Sequence, residues 1–119
     1  MLHCSVCEGE LQVREMGCPA CDMQVSGEFH FPRLLRLSSK NRVLAEAMIL
    51  AGGNLKALAR SLDISYPTLR KRVDDLIGEL AALRAEDERR IGEILRDIES
   101  GSIAPAKGTR LIRELNGTG

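Results

Sequence analysis

Aromatic side chains are scarce in this chain of 119 residues. They make up 3% of it, and tryptophan is absent. A core built without them has to be aliphatic, and the prevalence of leucine, isoleucine, valine and alanine favours helices. The length suffices for one ordinary domain or for two very small ones.

Long apolar runs are also missing. No stretch approaches the length that a helix needs to cross a bilayer, so we expect no membrane insertion. The first residues, MLHCSVCEGE, do not combine a basic patch with a long apolar stretch, as a signal peptide would. We therefore expect a cytoplasmic protein, and cysteines in the cytoplasm stay reduced.

The chain carries no net charge, because 17 lysines and arginines balance 17 aspartates and glutamates. The charges are nevertheless segregated along the chain. Residues 1–32 carry a net charge of −4, residues 33–72 one of +7, and residues 73–119 one of −3. A concentration of positive charge in one segment is what a DNA footprint requires. The alternative is a chance cluster on a solvated face.

The patterns that identify common enzymes are absent as well. We find no Ser-His-Asp set, no phosphate-binding loop and no pair of carboxylates that would line a cleft. We therefore predict that the protein is not an enzyme.

Four cysteines form two Cys-x-x-Cys pairs separated by ten residues: Cys4 with Cys7, and Cys18 with Cys21. Two pairs at this spacing are typical of a zinc site, because each pair turns back on itself and all four thiolates can face one tetrahedral ion. About thirty residues bury too little surface to fold unaided, so the metal has to stabilise them. We predict a zinc ribbon with one structural Zn²⁺ per chain.

Other uses of these cysteines fit less well. A redox Cys-x-x-Cys opens a helix after a strand, which neither pair does. Disulfides are rare in the cytoplasm. A catalytic zinc needs an open coordination position, and four cysteines leave none. His3 or His30 could replace a ligand, but a surface or packed histidine is the simpler interpretation.

Short alternating segments surround the cysteine pairs. Leu11 and Val13 alternate with polar residues, and so do Val25, Phe29 and Phe31. This period of two predicts short antiparallel strands. The glycine at position 27 predicts a bulge or bend in the second strand.

The stretch GNLKALARSLDISYPTLRKRVDDL, residues 53–76, predicts two helices joined by a tight turn. Asn54 and Ser65 are suitable N-caps, and Pro67 suits the first turn of the second helix. Asp63 can take the left-handed conformation that ends a helix, and Ile64 then fills the angle between the two helices. Ser38 or Ser39 can cap a supporting helix over residues 40–51.

This stretch resembles the helix-turn-helix of Fis-type and response-regulator effector domains. The resemblance rests on residues 53–54, 58–59, 62, 64–65, 68–69 and 73, and Asp63 stands where those domains usually have glycine. It implies a recognition helix that starts near Tyr66 and enters the major groove. A helical hairpin that only packs is the alternative.

We assign DNA-contact roles to eight residues. Those that we expect to face the major groove are Ser65, Tyr66, Thr68, Arg70 and Lys71. Those that we expect to hold phosphates are Arg72 with Lys56 or Arg60.

Leucines and a valine continue the apolar stripe of the recognition helix beyond what a three-helix core needs. Their spacing alternates between four and three residues, as in a heptad seam, over Leu69, Val73, Leu76, Leu80 and Leu83. The seam predicts a homodimer held through Leu76, Leu80 and Leu83. The alternative is that another part of the same chain covers it.

The C-terminal stretch ILRDIESGSIAPAKGTRLIREL predicts a second helical hairpin, with a turn at residues 100–102 and a helix that starts at Pro105. It is similar to SHOCT-like domains, which end many bacterial regulatory and envelope-stress proteins. That resemblance implies an oligomerisation or interaction module. We expect residues 116–119 to be disordered.

Taken over residues 1–85, the chain is similar to a family of small bacterial proteins of unassigned function that join a four-cysteine zinc ribbon to a helix-turn-helix. The resemblance rests on the four cysteines and on residues 27–29, 53–56 and 65–68. It implies a transcriptional regulator.

We therefore predict a small zinc ribbon of short antiparallel strands over residues 1–32, an all-α helix-turn-helix domain with a long recognition helix over 33–88, and a helical hairpin over 89–119. The predicted function is sequence-specific binding of double-stranded DNA by a homodimer. The alternative is an interaction adaptor. In that case the ribbon or the C-terminal hairpin binds a protein partner, such as a sigma factor or an envelope-stress regulator, and the helix-turn-helix is only a scaffold.

Overall fold

The computed structural model describes residues 3–117. A two-stranded antiparallel sheet is followed by a helical domain, which confirms the predicted fold class. The elements in chain order are β1 (Val13–Gly17), β2 (Gln24–Phe29), a 3₁₀ helix (Arg33–Arg36), α1 (Ser39–Leu50), α2 (Leu55–Ser61), α3 (Tyr66–Glu99) and α4 (Pro105–Asn116). Among the described residues, no helix combines the length and hydropathy needed to cross a membrane.

The sheet contains the predicted irregularity near Gly27. Val13 pairs with Phe29 and Glu15 pairs with Ser26, so β2 has one more residue than β1 between these two pairs. Gly27 lies in this stretch, as the sequence predicts. Apart from Val13 and Phe29, every residue of the two strands is exposed.

Polar side chains start the first three α-helices as predicted. The side chains of Ser38, Asn54 and Ser65 each accept a hydrogen bond from a backbone N–H three residues later, at 3.4, 3.1 and 3.3 Å. Each bond satisfies one of the N–H groups that a helix leaves unpaired at its start. These caps fix where α1, α2 and α3 begin.

The turn between α2 and α3 has the predicted geometry. Asp63 has φ +55°, in the left-handed region, and its N–H donates to the carbonyl of Arg60 at 3.2 Å. Ile64 is half-buried and packs against the hydrophobic core. The turn thereby sets the angle between α2 and α3.

One aliphatic core joins the first three α-helices and Leu37, which precedes the N-cap of α1. Its members are Leu37, Leu44, Leu58, Ala59, Leu69, Val73 and Leu76. None of them is aromatic, as the composition requires.

A carboxylate on α3 fixes the start of α1. Glu79 accepts hydrogen bonds from the backbone N–H of Ser38, from its hydroxyl at 3.0 Å and from the side-chain amide of Asn41 at 2.7 Å. Burial raises the pKa of Glu79, but these donors outweigh burial and hold that pKa below its ordinary value. Asn41 is only 1% exposed and Glu79 is half-buried, so this polar contact is partly shielded from solvent.

The segment that connects the sheet to α1 binds α3 through its two arginines, while two of its leucines stay exposed. Leu34 and Leu35 are 53% and 46% exposed. Arg33 and Arg36 instead bind the carboxylate of Asp87, with 2.9 Å between Arg33 Nε and Asp87 Oδ2. Residues three apart eclipse each other on a 3₁₀ helix, so the two arginines share the edge that faces α3.

The leucine seam is largely used within one chain. Leu76 is 5% exposed and belongs to the core, where it is not available to a second chain. Leu80 and Leu83 are half-buried and pack against the same core. A homodimer contact through Leu80 and Leu83 stays a prediction.

α3 continues past the predicted end of the helix-turn-helix domain. The sequence places the boundary with the C-terminal hairpin between residues 88 and 89, but α3 runs unbroken for 34 residues, or about 50 Å. Asp87 stays in the helix because its arginine partners neutralise it inside the protein. The proposed boundary between residues 88 and 89 therefore lies within α3, whose last turns form the first half of the C-terminal hairpin.

α4 folds back on the end of α3 and packs closely against it at Gly108, which is buried. A Cβ atom at this position would lie 2.3 Å from Ile98 Cδ1. Asn116 is the last residue of α4, and Gly117 ends the helix with φ +72°. The predicted disordered end is thus helical at Asn116, and its last two residues lie outside the described part of the chain.

Candidate functional site

The two cysteine pairs form equivalent tight turns. In the first turn, the N–H of Cys4 donates to the carbonyl of Gly9 at 2.7 Å and the N–H of Glu8 donates to the carbonyl of Cys4 at 2.9 Å. In the second, Cys18 N–H bonds the Met23 carbonyl and Asp22 N–H bonds the Cys18 carbonyl, both at 2.8 Å. Each turn is built in the same way although the two sequences differ.

The residue after each pair is left-handed although it is not glycine. Glu8 has φ +60° and Asp22 has φ +59°. This conformation strains a residue that carries a Cβ, by roughly 1–2 kcal/mol. Its presence in both turns indicates that the turn geometry, and not the local residue preference, decides the backbone here.

Each turn stabilises a thiolate on its first cysteine. The backbone N–H of Cys7 and then that of Val6 lower the pKa of the Cys4 thiol, and the Val6 nitrogen lies 3.4 Å from Cys4 Sγ. The N–H groups of Ala20 and Cys21 lower the pKa of Cys18 in the same way. Because the thiolate is the form that binds metal, each pair is chemically suited to be half of a zinc site.

The structure brings the cysteines together in pairs but does not unite the pairs. All four are free thiols. Within residues 3–117, no three histidine, cysteine, aspartate or glutamate side chains are grouped so that they could hold a metal ion. The structure shows the two half-sites, and the convergence of all four sulfurs on one centre stays a prediction.

All eight residues predicted to contact DNA are exposed, and all belong to α2, to the turn or to the first turns of α3. The buried stripe of Leu69 and Val73 anchors α3 from below, which leaves Arg70 and Lys71 on its outer side. Lys56 and Arg60 are one turn apart on the exposed side of α2.

The cations of this surface differ in how they are paired. Arg70 Nη2 lies 3.2 Å from Asp74 Oδ1 in an exposed pair one turn apart, which contributes little to stability. Lys71 makes no ion pair within residues 3–117. Arg72 lies toward α1, at the edge of a groove that Val43 and Leu62 also line.

The hydroxyls of the turn are engaged within the protein. Ser65 Oγ lies 2.8 Å from Thr68 Oγ1 and also caps α3. Tyr66 is 45% exposed at the start of the helix. Of the predicted groove-facing residues, Arg70, Lys71 and Tyr66 therefore take no part in this contact between the two hydroxyls.

Sequence reasoning missed two carboxylates of α3 that bind other elements of the fold. Glu79 fixes α1, and Asp87 binds the connector that leads to the sheet. The sequence does contain a signal for Asp87. It continues the four-three spacing of the seam at a position where an apolar residue is expected, and two arginines three residues apart lie upstream. An acid at a core position predicts a buried ion pair.

Comparison with family models matches two regions of the chain. Residues 4–35 match the model described as the DUF2089 zinc ribbon. Residues 37–83 match the model described as Domain of unknown function (DUF2089)-HTH. No curated protein and no solved structure matches the chain. The resemblances of the helix-turn-helix to Fis-type domains and of the C-terminal hairpin to SHOCT-like domains stay predictions.

Proposed function

Because the chain carries both the zinc ribbon and the helix-turn-helix region of the DUF2089 family, we propose that it is a sequence-specific DNA-binding transcriptional regulator. The observation that carries the proposal is the exposed cationic start of α3, held in place by a buried aliphatic stripe. A helix presented in this way can enter the major groove with its first turns. The proposal assigns the protein to the cytoplasm and gives it no catalytic role.

Several features support this use of the helix-turn-helix. The segment of residues 33–72, which carries the net charge of +7, contains α1, α2, the turn and the start of α3. Farther along α3 the exposed side becomes acidic at Asp74 and Asp75. The cationic surface is thus confined to about the first two turns, and these are the turns that a recognition helix places against base edges.

We also propose that Cys4, Cys7, Cys18 and Cys21 bind one structural Zn²⁺. The paired turns and the stabilised thiolates support this assignment. Bound metal would supply a cross-link that a sheet of two exposed strands lacks.

An interaction adaptor is the second candidate function. Apolar side chains on α1 favour it, since Val43, Ile49 and Leu50 are 68%, 73% and 82% exposed. Exposed apolar residues grouped on one element are typical of protein-binding surfaces. In this alternative the cationic surface of α3 would have no DNA partner.

Selection of binding sites from random duplexes, with purified zinc-loaded protein, tests the first proposal. We expect Arg70→Ala to reduce affinity for the selected site by about 1–3 kcal/mol and to relax the preference at one base position. We expect Arg72→Ala to weaken binding to all DNA sequences alike, because a phosphate contact does not depend on the base sequence.

Lys107→Ala is the matched control. Lys107 is exposed on α4, outside the helix-turn-helix, so its removal changes the net charge equally without touching the proposed surface. Affinity that falls as much in Lys107→Ala as in Arg70→Ala would mean that binding follows overall charge, which contradicts the proposal.

A further inference from the structure

A second line of residues runs along α3 beside the leucine seam. Each of its members follows a seam residue, or Asp87, by one position, so the line lies about 100° further around the helix. Its spacing alternates between four and three residues, as that of the seam does. The six members, which we call the side face of α3, are all exposed: Arg70, Asp74, Ile77, Ala81, Arg84 and Glu88.

The centre of the side face is apolar. Ile77 and Ala81 line a groove of about 390 Å³ between α3 and the 3₁₀ helix, which contributes Leu34 to it. Leu34 and Ile77 are 53% and 51% exposed, so about half of each side chain is open to contact with another molecule. Apolar side chains grouped in this way are typical of a surface that binds a partner.

One ion pair lies on each side of this apolar centre. Arg70 Nη2 lies 3.2 Å from Asp74 Oδ1, and Arg84 Nε lies 3.3 Å from Glu88 Oε1. Each of the four side chains is at least 50% exposed, so further donors and acceptors stay available to another molecule. The order along the side face is therefore cation, acid, apolar centre, cation, acid.

We propose that two copies of this chain pair antiparallel through the side face of α3. The two-fold axis then passes between Ile77 and Ala81, so that Ile77 of each copy lies opposite Ala81 of the other. The small side chain of Ala81 leaves room for that isoleucine. Asp74 of each copy lies opposite Arg84 of the other, and every charge keeps the partner that it has within its own chain.

The order of the charges supports a second copy as the occupant and selects the antiparallel arrangement. In a parallel pair each residue would face its own copy, so Asp74 would meet Asp74 and the two carboxylates would repel each other. In the antiparallel pair opposite charges also meet at the outer ends, where Arg70 faces Glu88. The side face is thus complementary to itself, as a contact between two copies requires.

This contact differs from the predicted homodimer through Leu80 and Leu83, which pack against the core of their own chain. The proposal does not rest on the proposed function and can be tested without DNA. Arg70 is also assigned to DNA, so the inner pair of Asp74 and Arg84 is the one to test.

Sedimentation equilibrium of the full-length, zinc-loaded protein tests the proposal. We expect a dimer that weakens as salt rises, because salt screens the charge attraction. Asp74→Arg and Arg84→Asp each place like charges opposite one another, and each should raise the dissociation constant by about tenfold or more. The double variant restores opposite charges, so its dissociation constant should return to within about threefold of the wild-type value.

Mixing the two single variants gives a second measurement. In a dimer of one Asp74→Arg chain with one Arg84→Asp chain, both inner contacts join opposite charges. The mixture should therefore associate about tenfold more tightly than either variant alone. No such gain is expected if the contact lies on another surface.

Ile77→Glu and Val43→Glu form a matched pair on the apolar side. Ile77→Glu places a charge at the centre of the contact and should give monomers. Val43 is 68% exposed on α1 beside Arg72, which lies about 140° around α3 from Ile77. Val43→Glu should therefore still form dimers, and circular dichroism should show that all variants keep their helical content.

A wild-type protein that stays monomeric at every concentration would overturn the proposal. So would folded single variants that form dimers as well as the wild type does, since the inner pair would then not be in contact. Folded double variant without recovery, or dissociation by Val43→Glu in place of Ile77→Glu, would also contradict it.

Discussion

Asp87 joins the 3₁₀ helix that follows the sheet to α3 through a single carboxylate. It is 2% exposed and accepts from Arg33 and Arg36. Burial raises the pKa of Asp87, but the two arginines outweigh burial and hold that pKa below its usual range. Removing the charge would leave both guanidinium groups without their partner.

We expect Asp87→Asn to lower the free energy of unfolding at neutral pH by about 2 kcal/mol, because one side of a buried ion pair is lost. A carboxyl whose folded pKa is depressed stabilises the protein above its unfolded pKa, and this contribution disappears as pH falls through the folded pKa. The difference in the free energy of unfolding between wild type and Asp87→Asn should therefore have its full value above about pH 5 and shrink below about pH 4.

Denaturant unfolding across this pH range measures the effect. Glu88→Gln is the control, because Glu88 is the exposed neighbour of Asp87 and forms only a surface pair with Arg84. A difference between wild type and Asp87→Asn that does not change with pH would show that the Asp87 charge is not what stabilises the junction.

At the scale of the element, α4 is held to α3 by close helix packing at Gly108. An added methyl group would lie 2.3 Å from Ile98 Cδ1 and 2.7 Å from Cγ1, too close unless Ile98 or α4 moves. Alanine has a better helix propensity than glycine by about 1 kcal/mol, but overpacking costs about 1–3 kcal/mol. The packing term should therefore decide the outcome.

We expect Gly108→Ala to reduce stability by about 1 kcal/mol and to increase amide exchange along α4. Gly78→Ala provides the comparison, since Gly78 lies in α3 with nothing within 4 Å of the added atom. The free energy of unfolding of that variant should rise by about 1 kcal/mol from helix propensity alone. Stabilisation of similar size by both substitutions would contradict the packing at Gly108.

The ribbon and the helical domain differ in what stabilises them. The helical domain has its own aliphatic core, whereas almost every strand residue of the ribbon is exposed.

We expect Cys18→Ser to abolish zinc binding and to unfold the ribbon while the helices survive, as measured by metal analysis and far-UV circular dichroism. Wild-type protein should contain one zinc per chain. Purified protein without zinc, or with a disulfide between the pairs, would contradict the zinc assignment.

At the scale of the whole molecule, features that depend on neighbouring residues are the ones that the sequence predicts well. The caps at Ser38, Asn54 and Ser65 and the left-handed Asp63 follow from contacts within a few positions. They locate the starts of three helices and the turn of the helix-turn-helix. The exposed cations on that motif follow from the same local pattern.

Long-range contacts account for what the sequence does not predict. The arginine partners of Asp87 lie 54 and 51 positions upstream, so the sequence alone does not predict the buried ion pair beside the expected boundary at residue 88. The spacing of the four cysteines identifies two half-sites but does not determine whether they converge. The leucine seam shows the same limit, because a four-three spacing fits both a contact within one chain and a contact between two chains.

The salt dependence of duplex affinity tests the central claim most directly. If Arg72 and either Lys56 or Arg60 bind phosphates, the logarithm of the association constant should fall linearly with the logarithm of salt concentration, with a slope of about −2 per chain. Fluorescence anisotropy with labelled duplexes and zinc-loaded protein supplies the measurement. Folded, zinc-loaded protein without salt-dependent affinity for any duplex would contradict the regulator function and favour the adaptor.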